Sequence, residues 1–152
     1  MDIQHQILKI KTKHFLQFLD ITSEVERFIS KSKIKHGAVL VYAKHTTVAV
    51  RINEQEQGLF KDFHDLTHRI TPKDIYYRHN DLSIRTENLV CDPNASDCLN
   101  GHSHCLHLLL STSETLPVVD GKSVLGTYQR IFIIELDCSR NREIVLQIMG
   151  KT

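Results

Sequence analysis

A series of β-strand segments separated by short turns occupies the C-terminal third of the chain and restricts its fold more than any other feature. Asp120-Gly121 is a strong two-residue hairpin turn between predicted strands at residues 114–119 and 122–125. Residues 130–137, RIFIIELD, and residues 143–149, EIVLQIM, are also β-like, and a polar turn joins them. Because such short connections join antiparallel neighbours, this region predicts a mostly antiparallel sheet.

The N-terminal half of the chain adds helices to this sheet. Residues 3–11 alternate imperfectly between apolar and polar side chains and predict an opening strand. The Val-rich residues 37–43, GAVLVYA, predict a buried strand that residues 48–52 continue or accompany. Apolar residues at helical intervals predict amphipathic helices over residues 21–33 and 54–70.

These segments together predict a single α+β domain over residues 1–152. We expect about three helices and about seven or eight strands, arranged as a mostly antiparallel β-sandwich or barrel-like sheet. Residues 73–99 contain scattered Pro, Asn, Asp and Ser without a sustained period, and they predict a long loop of the kind that often carries function.

Composition limits the partners of the chain. With 19 Lys and Arg against 18 Asp and Glu, the net charge of +1 provides no broad field for nucleic acid, whereas a small phosphorylated molecule needs only a local cluster of donors. The sequence has no long apolar run and no signal-peptide core, so we expect a cytoplasmic protein without a membrane partner. The cysteines form no C-x-x-C pair and are predicted to be thiols: Cys91, Cys98, Cys105 and Cys138.

Residues 100–111, NGHSHCLHLLLS, hold three of the ten histidines and predict a short helix with Asn100 as its N-cap. Helical spacing predicts a buried leucine face and an opposite face turned to a site: Leu106, Leu109 and Leu110 against His104, His107 and Leu108. Other histidines stand beside small polar residues, as His45 does in KHTT and His79 in YRHND. Separated imidazoles that converge are a common way to build an open zinc or transition-metal site.

Several motifs occur in an order that resembles the YjbQ-type family, whose members are described as secondary thiamine-phosphate synthase enzymes. The resemblance extends from about His45 to the C-terminus, and the first forty residues agree only in the order of their elements. The motifs that carry it are His45-Thr46-Thr47, Ile52-Asn53-Glu54, Asp62, Thr71-Pro72, Tyr77 with His79, Asn100-Gly101-His102-Ser103-His104-Cys105, Thr112-Ser113, Leu116-Pro117-Val118, Asp120-Gly121-Lys122 and Gly126-Thr127-Tyr128-Gln129.

The resemblance implies an α+β sandwich or barrel-like fold that assembles as a homotrimer, with the histidine cluster near a subunit boundary. It also implies that His45, His79 and His104 form a divalent metal site, with zinc as the default metal and a fourth position open for water or substrate. His102 matches only a subset of the family. Tyr128 stands where Trp is commoner, and it keeps an aromatic side chain there.

Two carboxylates and one imidazole are candidates for catalysis beside the metal. Glu54 and Asp62 could accept a hydrogen bond from a ligating imidazole or act as acid and base, with His102 nearby. An equally acceptable interpretation is that Asn53-Glu54 caps the helix that follows. Asn53 is otherwise a candidate contact for the substrate.

Three further residues are candidates for substrate binding. Arg85 could bind phosphate through its guanidinium, although a loop salt bridge would explain it as well. Thr127 and Gln129, beside Gly126, could present a hydroxyl and an amide to a ligand that approaches the backbone closely, or could serve as strand residues facing a neighbouring subunit.

The remaining histidines are assigned structural roles: His5, His14, His36, His64, His68 and His107. His64 and His68 have the i, i+4 spacing of a zinc-binding helix but lack the glutamate of H-E-x-x-H, so they predict a solvated surface. Cys105 adjoins His104, but adjacent helical residues point about 100° apart, so we expect a buried thiol and not a second ligand.

Three hypotheses for function follow, of which the first is a metal-dependent enzyme acting on a small phosphorylated substrate. In a thiamine-phosphate synthase, a thiazole phosphate displaces pyrophosphate from an aminopyrimidine, and the site neutralises the leaving diphosphate. The second is metal-assisted hydrolysis, with water as the nucleophile. The third is a trimer that binds a metal or a phosphorylated metabolite without turnover.

Overall fold

Antiparallel strand pairing and two amphipathic stretches at helical spacing organise the chain into an α+β fold. The computed structural model describes residues 1–90 and 98–152, and within them it contains eight strands and three α-helices. The strands are β1 (Asp2–Lys11), β2 (Phe18–Asp20), β3 (His36–Ala43), β4 (Val48–Glu54), β5 (Ser113–Val119), β6 (Lys122–Ser123), β7 (Gln129–Glu135) and β8 (Asn141–Lys151). The helices are α1 (Thr22–Ser32), α2 (Gln57–Ile70) and α3 (Gly101–Leu109), with a short 3-10 helix at Arg78–Asn80.

The strands form two curled antiparallel sheets. The larger sheet has the order β1-β8-β3-β5-β6 and the smaller one the order β2-β7-β4. Alternation along β3 turns Val39, Val41 and Ala43 into the interior, where they meet Val50 and Ile133 from the smaller sheet. Burying each of the Val and Ile side chains among them stabilises the fold by roughly 1.5–3 kcal/mol, so this shared interior is the main core.

Helix α1 closes one side of this core. Its apolar stripe places Val25, Phe28 and Ile29 in the main core. The carboxylate of Asp20 accepts a hydrogen bond from the backbone N–H of Thr22 at 2.9 Å, which satisfies a donor at the helix start. The helix ends at Lys33, whose φ of 62° is the left-handed conformation typical of a C-terminal cap.

A second apolar cluster fixes α3 to the outer side of the smaller sheet. Leu106 of α3 is 1% exposed and packs with Phe132, Ile134 and Leu136, which belong to β7 or follow it. Phe18 stacks on Phe60 of α2 in the same layer, with ring centroids 4.2 Å apart. The position of α3, and of the histidines it carries, is therefore set by this cluster.

The predicted elements are confirmed, with differences at their ends. The hairpin at Asp120-Gly121 has φ angles of 51° and 75°, as the predicted turn requires. Strand β2 was not predicted, because three residues are too few to show an alternating pattern. Helix α2 begins at Gln57 and is capped by Glu56, whose carboxylate accepts from two backbone N–H groups, so the predicted cap at Asn53-Glu54 is wrong.

The predicted loop over residues 73–99 contains the 3-10 helix, and residues 91–97, with the predicted thiol Cys91, lie outside the described part of the chain. In the described residues, no helix is both long enough and apolar enough to cross a membrane.

Candidate functional site

An open cleft of about 1020 Å³ lies at the end of the smaller sheet where β4 begins and β7 ends. Four segments border it: the residues before β4, the loop that contains the 3-10 helix, the start of α3, and the turn between β7 and β8. The described lining residues are Lys44, His45, Thr46, Thr47, His79, Arg85, Asn88, Val90, Cys98, Asn100, His104, Asp137, Ser139, Arg140, Asn141 and Arg142. The cleft therefore contains all three histidines that the resemblance assigns to a metal.

The cleft is cationic in the part of its lining that the structure describes. The Lys and Arg side chains there are Lys44, Arg85, Arg140 and Arg142, and the one carboxylate among these residues is Asp137. Lys44 also forms an exposed ion pair with Glu143 at 2.5 Å, which water screens strongly. Arg140 is likewise paired with Asp137, and Arg142 with Glu135, so most of this positive charge is compensated. An anionic ligand would therefore be bound mainly by a local set of N–H donors.

His79 and His104 form a close pair within the cleft. Their ring centroids are 4.5 Å apart and their planes are inclined by 52°. The two elements that carry them are joined where the Asn80 side chain accepts a hydrogen bond from the backbone N–H of Gly101 at 2.8 Å. This N–H at the start of α3 is therefore satisfied within the protein.

Gly101 is required at this junction. An ideal Cβ at residue 101 would lie 2.6 Å from the Cβ of Tyr77, closer than two carbon atoms can approach. The absence of a side chain lets the start of α3 touch the segment before the 3-10 helix. This close approach brings His104 beside His79.

Asn100 connects the histidine pair to a carboxylate. Its Nδ2 donates to Asp137 Oδ2 at 2.8 Å, and its Oδ1 lies 3.2 Å from His79 Nε2. Asn100 is the N-cap residue by position, but its side chain makes no capping bond, so that part of the prediction is wrong. Asp137 also accepts from Arg140 Nε at 2.9 Å.

Burial would raise the pKa of Asp137, but hydrogen bonds from Asn100 and Arg140 outweigh it and hold the pKa below the ordinary 3.8. Hydrogen bonds to Cys98 and Asp137 outweigh the burial of Arg140 and raise the pKa of its guanidinium. Arg140 donates to Cys98 Sγ at 2.6 Å. The carboxylate and the guanidinium therefore both stay charged at neutral pH.

His45 lines the same cleft through a different contact. Its Nε2 accepts a hydrogen bond from the backbone N–H of Glu143 at 2.9 Å. Burial and the nearby Arg142 lower the pKa of the His45 ring below 6.5, so the neutral form is favoured. A neutral ring that accepts at Nε2 carries its proton on Nδ1, which leaves no free lone pair in this arrangement.

The pair of His79 and His104 fits a metal ion better than the predicted set of His45, His79 and His104 does. Burial and the adjacent His79 lower the pKa of His104, and a metal binds the neutral imidazole. Within residues 1–90 and 98–152, no three His, Cys, Asp or Glu side chains are grouped closely enough to hold a metal. His79 and His104 are suited to be ligands, whereas His45 must first release Glu143, so the three-histidine site stays a prediction.

Arg85 reaches the cleft as the sequence predicted. Its guanidinium donates to the backbone carbonyl groups of His79 at 3.2 Å and Asn88 at 2.9 Å, and its Nε donates to Glu87 O at 3.2 Å. These bonds hold the loop and the 3-10 helix around one cation. Arg85 therefore has a structural role whether or not it also contacts a ligand.

A buried ion pair lies behind the cleft, between Glu135, which is fully buried, and Arg142, which is 4% exposed. Arg142 Nε donates to Glu135 Oε2 at 2.7 Å, and a second nitrogen of the same guanidinium contacts Oε1. Arg142 also donates to Thr47 Oγ1 at 3.1 Å, and Thr12 Oγ1 donates to Glu135 at 2.7 Å. This network joins the end of β7 to the residues before β4.

Four predicted site residues lie at the opposite end of the smaller sheet. In the β4–β7 register, Val48 pairs with Glu135 beside the cleft, whereas Glu54 pairs with Gln129 at the far end. Six residues of strand separate the two ends by about 20 Å. Glu54 and Gln129 are exposed there, and so is Thr127. Asn53 lines a separate, mainly apolar pocket of about 210 Å³. Within one chain, none of the four reaches the cleft.

Asp62 and His102 are also outside the cleft. Asp62 is exposed on α2. His102 is 5% exposed and packs edge to face against Phe15, with centroids 5.7 Å apart, because residues two apart on a helix point about 200° from each other. Burial and the nearby Lys73 lower the pKa of His102. Its position indicates packing and not contact with the cleft.

Two other expectations for α3 are wrong. Leu109 was predicted to be buried, but it is the last residue of the helix and is 65% exposed. Cys105 is exposed and not a buried thiol. His107 is partly buried and does not line the cleft, in keeping with the structural role assigned to it, and its Nε2 has no hydrogen-bond partner among the described residues. The described cysteines, Cys98, Cys105 and Cys138, are free thiols as predicted.

Sequence reasoning missed Asp137 and Arg140 as site residues. Both follow β7 in a short polar turn, which gave no signal beyond a change of direction. An available signal was the concentration of charge around this turn, in the segment ELDCSRNRE, at the end of a strongly apolar strand. Charged side chains at the end of a buried strand are candidates for a site at the sheet edge.

Comparisons with known proteins agree with this fold. The family model described as UPF0047 protein YjbQ-like matches residues 6–151. A UPF0047 protein of Methanothermobacter thermautotrophicus is 36% identical over 151 residues, covering 99% of this chain and 95% of the relative. A UPF0047 protein of Archaeoglobus fulgidus is 35% identical over 142 residues, covering 93% and 98%.

Solved structures of similar proteins show the same architecture. A crystal structure of a YbjQ-like protein of unknown function from Sulfolobus solfataricus P2 has a TM-score of 0.85 at 30% identity and covers 99% of both chains. A hypothetical protein from Aeropyrum pernix K1 has a TM-score of 0.82 at 32% identity, covering 97% of this chain and 99% of that one. The resemblance seen in the motifs is confirmed, and the chain belongs to the UPF0047 protein YjbQ-like family.

Proposed function

We propose that the cleft is the active site of a metal-dependent enzyme that acts on a small phosphorylated substrate. The observation that carries this proposal is the close pair of His79 and His104 in a concave surface whose described lining is mainly cationic. Paired neutral imidazoles suit a divalent metal, with zinc as the default, and cations suit phosphate. His45 is the third ligand in this proposal, after release of Glu143.

The side chains of the cleft have separable tasks in this proposal. Arg85 and Arg140 supply positive charge beside the phosphate in this proposal, while their guanidinium groups also donate to backbone carbonyls and to Asp137. His104 stays neutral at pH 7 and is able to accept a proton or bind a metal. A bound metal would polarise a phosphate oxygen or activate a water. Arg142 keeps the cleft wall in place through Glu135.

The resemblance to secondary thiamine-phosphate synthases supplies one candidate reaction. In it, the nitrogen of a thiazole phosphate attacks the methylene carbon of an aminopyrimidine diphosphate, and the carbon–oxygen bond to pyrophosphate breaks. A cationic cleft favours departure of pyrophosphate, since developing negative charge is stabilised. Hydrolysis, with water as the nucleophile in the same cleft, is the second candidate, and binding without turnover is the third. Product analysis separates them.

We also propose that the protein is cytoplasmic and forms a homotrimer. An apolar stripe on the outer face of the larger sheet supports association with other copies of the chain. The register aligns Ile7, Val145 and Tyr42 across β1, β8 and β3, and Ile7 and Tyr42 are 46% and 40% exposed. Exposed apolar surface of this kind is typical of interaction faces. The solution mass tests the trimer.

Elemental analysis of the purified protein, with product screening on phosphorylated substrates, tests the enzyme proposal. We expect about one transition metal per chain, lost together with turnover in the variant His79→Ala/His104→Ala. The matched control is His64→Ala/His68→Ala on α2, whose rings also lie 4.5 Å apart but are exposed. The control variant should keep both the metal and the activity.

Contrary results have distinct meanings. A protein that contains no metal and gains none on titration refutes the ligand assignment. A metal that remains bound while no phosphorylated substrate is turned over refutes the enzyme and supports a binding protein. Loss of the trimer on melting in His104→Ala would indicate a structural ion instead of a catalytic one.

A further inference from the structure

The orientation of the Asn100 amide is determined by its neighbours. An ionised carboxylate only accepts hydrogen bonds, so the group that faces Asp137 at 2.8 Å must be the NH₂ of Asn100. The other end of the amide, Oδ1, then faces His79 Nε2 at 3.2 Å. Turning the amide over would bring its oxygen against the carboxylate, and the repulsion would disfavour that arrangement.

This orientation selects one tautomer of His79. Because Oδ1 of Asn100 only accepts, Nε2 of His79 must carry the proton. A neutral imidazole has a single N–H, so the lone pair of His79 resides on Nδ1. Nδ1 is therefore the only acceptor atom of the neutral His79 ring, for a proton or for a metal.

Asp137 is itself fixed from the opposite side. Its Oδ2 accepts from Arg140 Nε at 2.9 Å and from a second nitrogen of the same guanidinium at 2.8 Å. The side chain of Asp137 is 10% exposed, so water competes little for these bonds. The chain of contacts Arg140, Asp137, Asn100 and His79 forms one connected network from the β7–β8 turn to the 3-10 helix.

We propose that Asp137 is a positioning residue that acts through Asn100 to hold His79 as the Nε2–H tautomer, with Nδ1 as the working atom in the cleft. The sequence motifs give Asp137 no role and give Asn100 only that of a helix cap. The inference deepens the proposed function and rests on it, because it takes His79 as a site residue. Its test, however, requires neither substrate nor turnover.

Two-bond ¹⁵N–¹H correlation spectra of the histidine rings, recorded on the full chain at pH 7.5, test the proposal. The variant His79→Gln identifies the resonances of His79. In the wild type we expect a protonated Nε2 and an unprotonated Nδ1. In Asp137→Ala no acceptor holds the NH₂ of Asn100, so the amide is able to turn over and the Nδ1 resonance should shift toward the protonated position. Asp20→Ala, which also removes a carboxylate bound to an arginine Nε, is the matched control and should leave His79 unchanged.

A wild-type His79 protonated on Nδ1 overturns the proposal, and so does an unchanged tautomer in Asp137→Ala. If Asp137→Ala does not fold, Asn100→Ala decides, because it removes the acceptor that faces Nε2 of His79 while Asp137 stays paired with Arg140, and an unchanged tautomer there also overturns the proposal. An Nε2–H spectrum combined with a failed substrate screen would refute the enzyme alone and leave the positioning role intact.

Discussion

Replacing Arg142 by Met should destabilise the protein strongly, because Glu135 would lose its ion-pair partner inside the fold. Glu135 is fully buried and Arg142 is 4% exposed, and the substitution removes both of the guanidinium contacts with the carboxylate. Thr12 and the backbone N–H of Asp137 would remain as donors to Glu135, at 2.7 and 2.9 Å. Those two bonds offset only part of the cost of a buried, unpaired charge.

The expected loss is about 3–5 kcal/mol, the usual cost of removing one partner from a buried ion pair. For a chain of this size, such a loss lowers the Tm by about 6–20 °C. Urea unfolding followed by circular dichroism, at a fixed protein concentration, measures it. The double variant Glu135→Gln/Arg142→Met should recover more than half of the loss, because it removes the unpaired charge together with its partner.

The matched control is Lys44→Met, which breaks the exposed pair with Glu143 a few residues away. That change should cost less than about 1 kcal/mol, because water screens an exposed pair. The reasoning fails if Arg142→Met costs no more than Lys44→Met. It also fails if the double variant is less stable than Arg142→Met alone, since the penalty would then not arise from the unpaired carboxylate.

Two further predictions concern the contact between Gly101 and Tyr77 and the response of stability to acid. Gly101→Ala should lower the free energy of unfolding by about 1–3 kcal/mol, because the new Cβ overpacks against Tyr77. In the control Gly126→Ala, where the new Cβ has no neighbour closer than 3.4 Å, the change in thermal unfolding should stay within about 0.5 kcal/mol, and equal losses would contradict the close approach. Burial lowers the pKa of four histidine rings, those of His45, His102, His104 and His107. The unfolded chain therefore binds more protons than the folded one as the pH drops below 6.5, so the free energy of unfolding should decrease there, whereas the contribution of the neutral rings is complete above pH 6.5. A Tm that increases as the pH is lowered from 7 to 5 would refute this sign.

Local patterns in the sequence were sufficient to predict the fold, because each pattern records one burial face. The Val-rich run GAVLVYA and the Asp120-Gly121 turn predicted β3 and the β5–β6 hairpin from neighbouring residues alone. Failures occurred where the partner lies far away in the chain. Leu109 has the helical spacing for burial, yet it is 65% exposed at the last residue of α3.

The candidate site was predictable only in part, for a related reason. Motif order brought His45, His79 and His104 into one group, and all three line the cleft. The same argument placed Glu54 with them, although β4 begins at the cleft and carries Glu54 to its far end. Because an extended strand separates its first and last residues by about 20 Å, motif residues that are close in the sequence need not share a site.

The position of the cleft follows from the way the smaller sheet ends. At that end β4 begins, β7 ends and the chain turns into β8, so backbone and charged groups from separate segments meet where strand-to-strand hydrogen bonds stop. Arg142 donates to Glu135 and to Thr47, which holds this wall of the cleft in place. Asp137 and Arg140 continue the same pattern one turn further out, where Asn100 extends it to His79. The buried pair therefore supplies a fixed support, and the histidines owe their arrangement to a polar network that begins in the core.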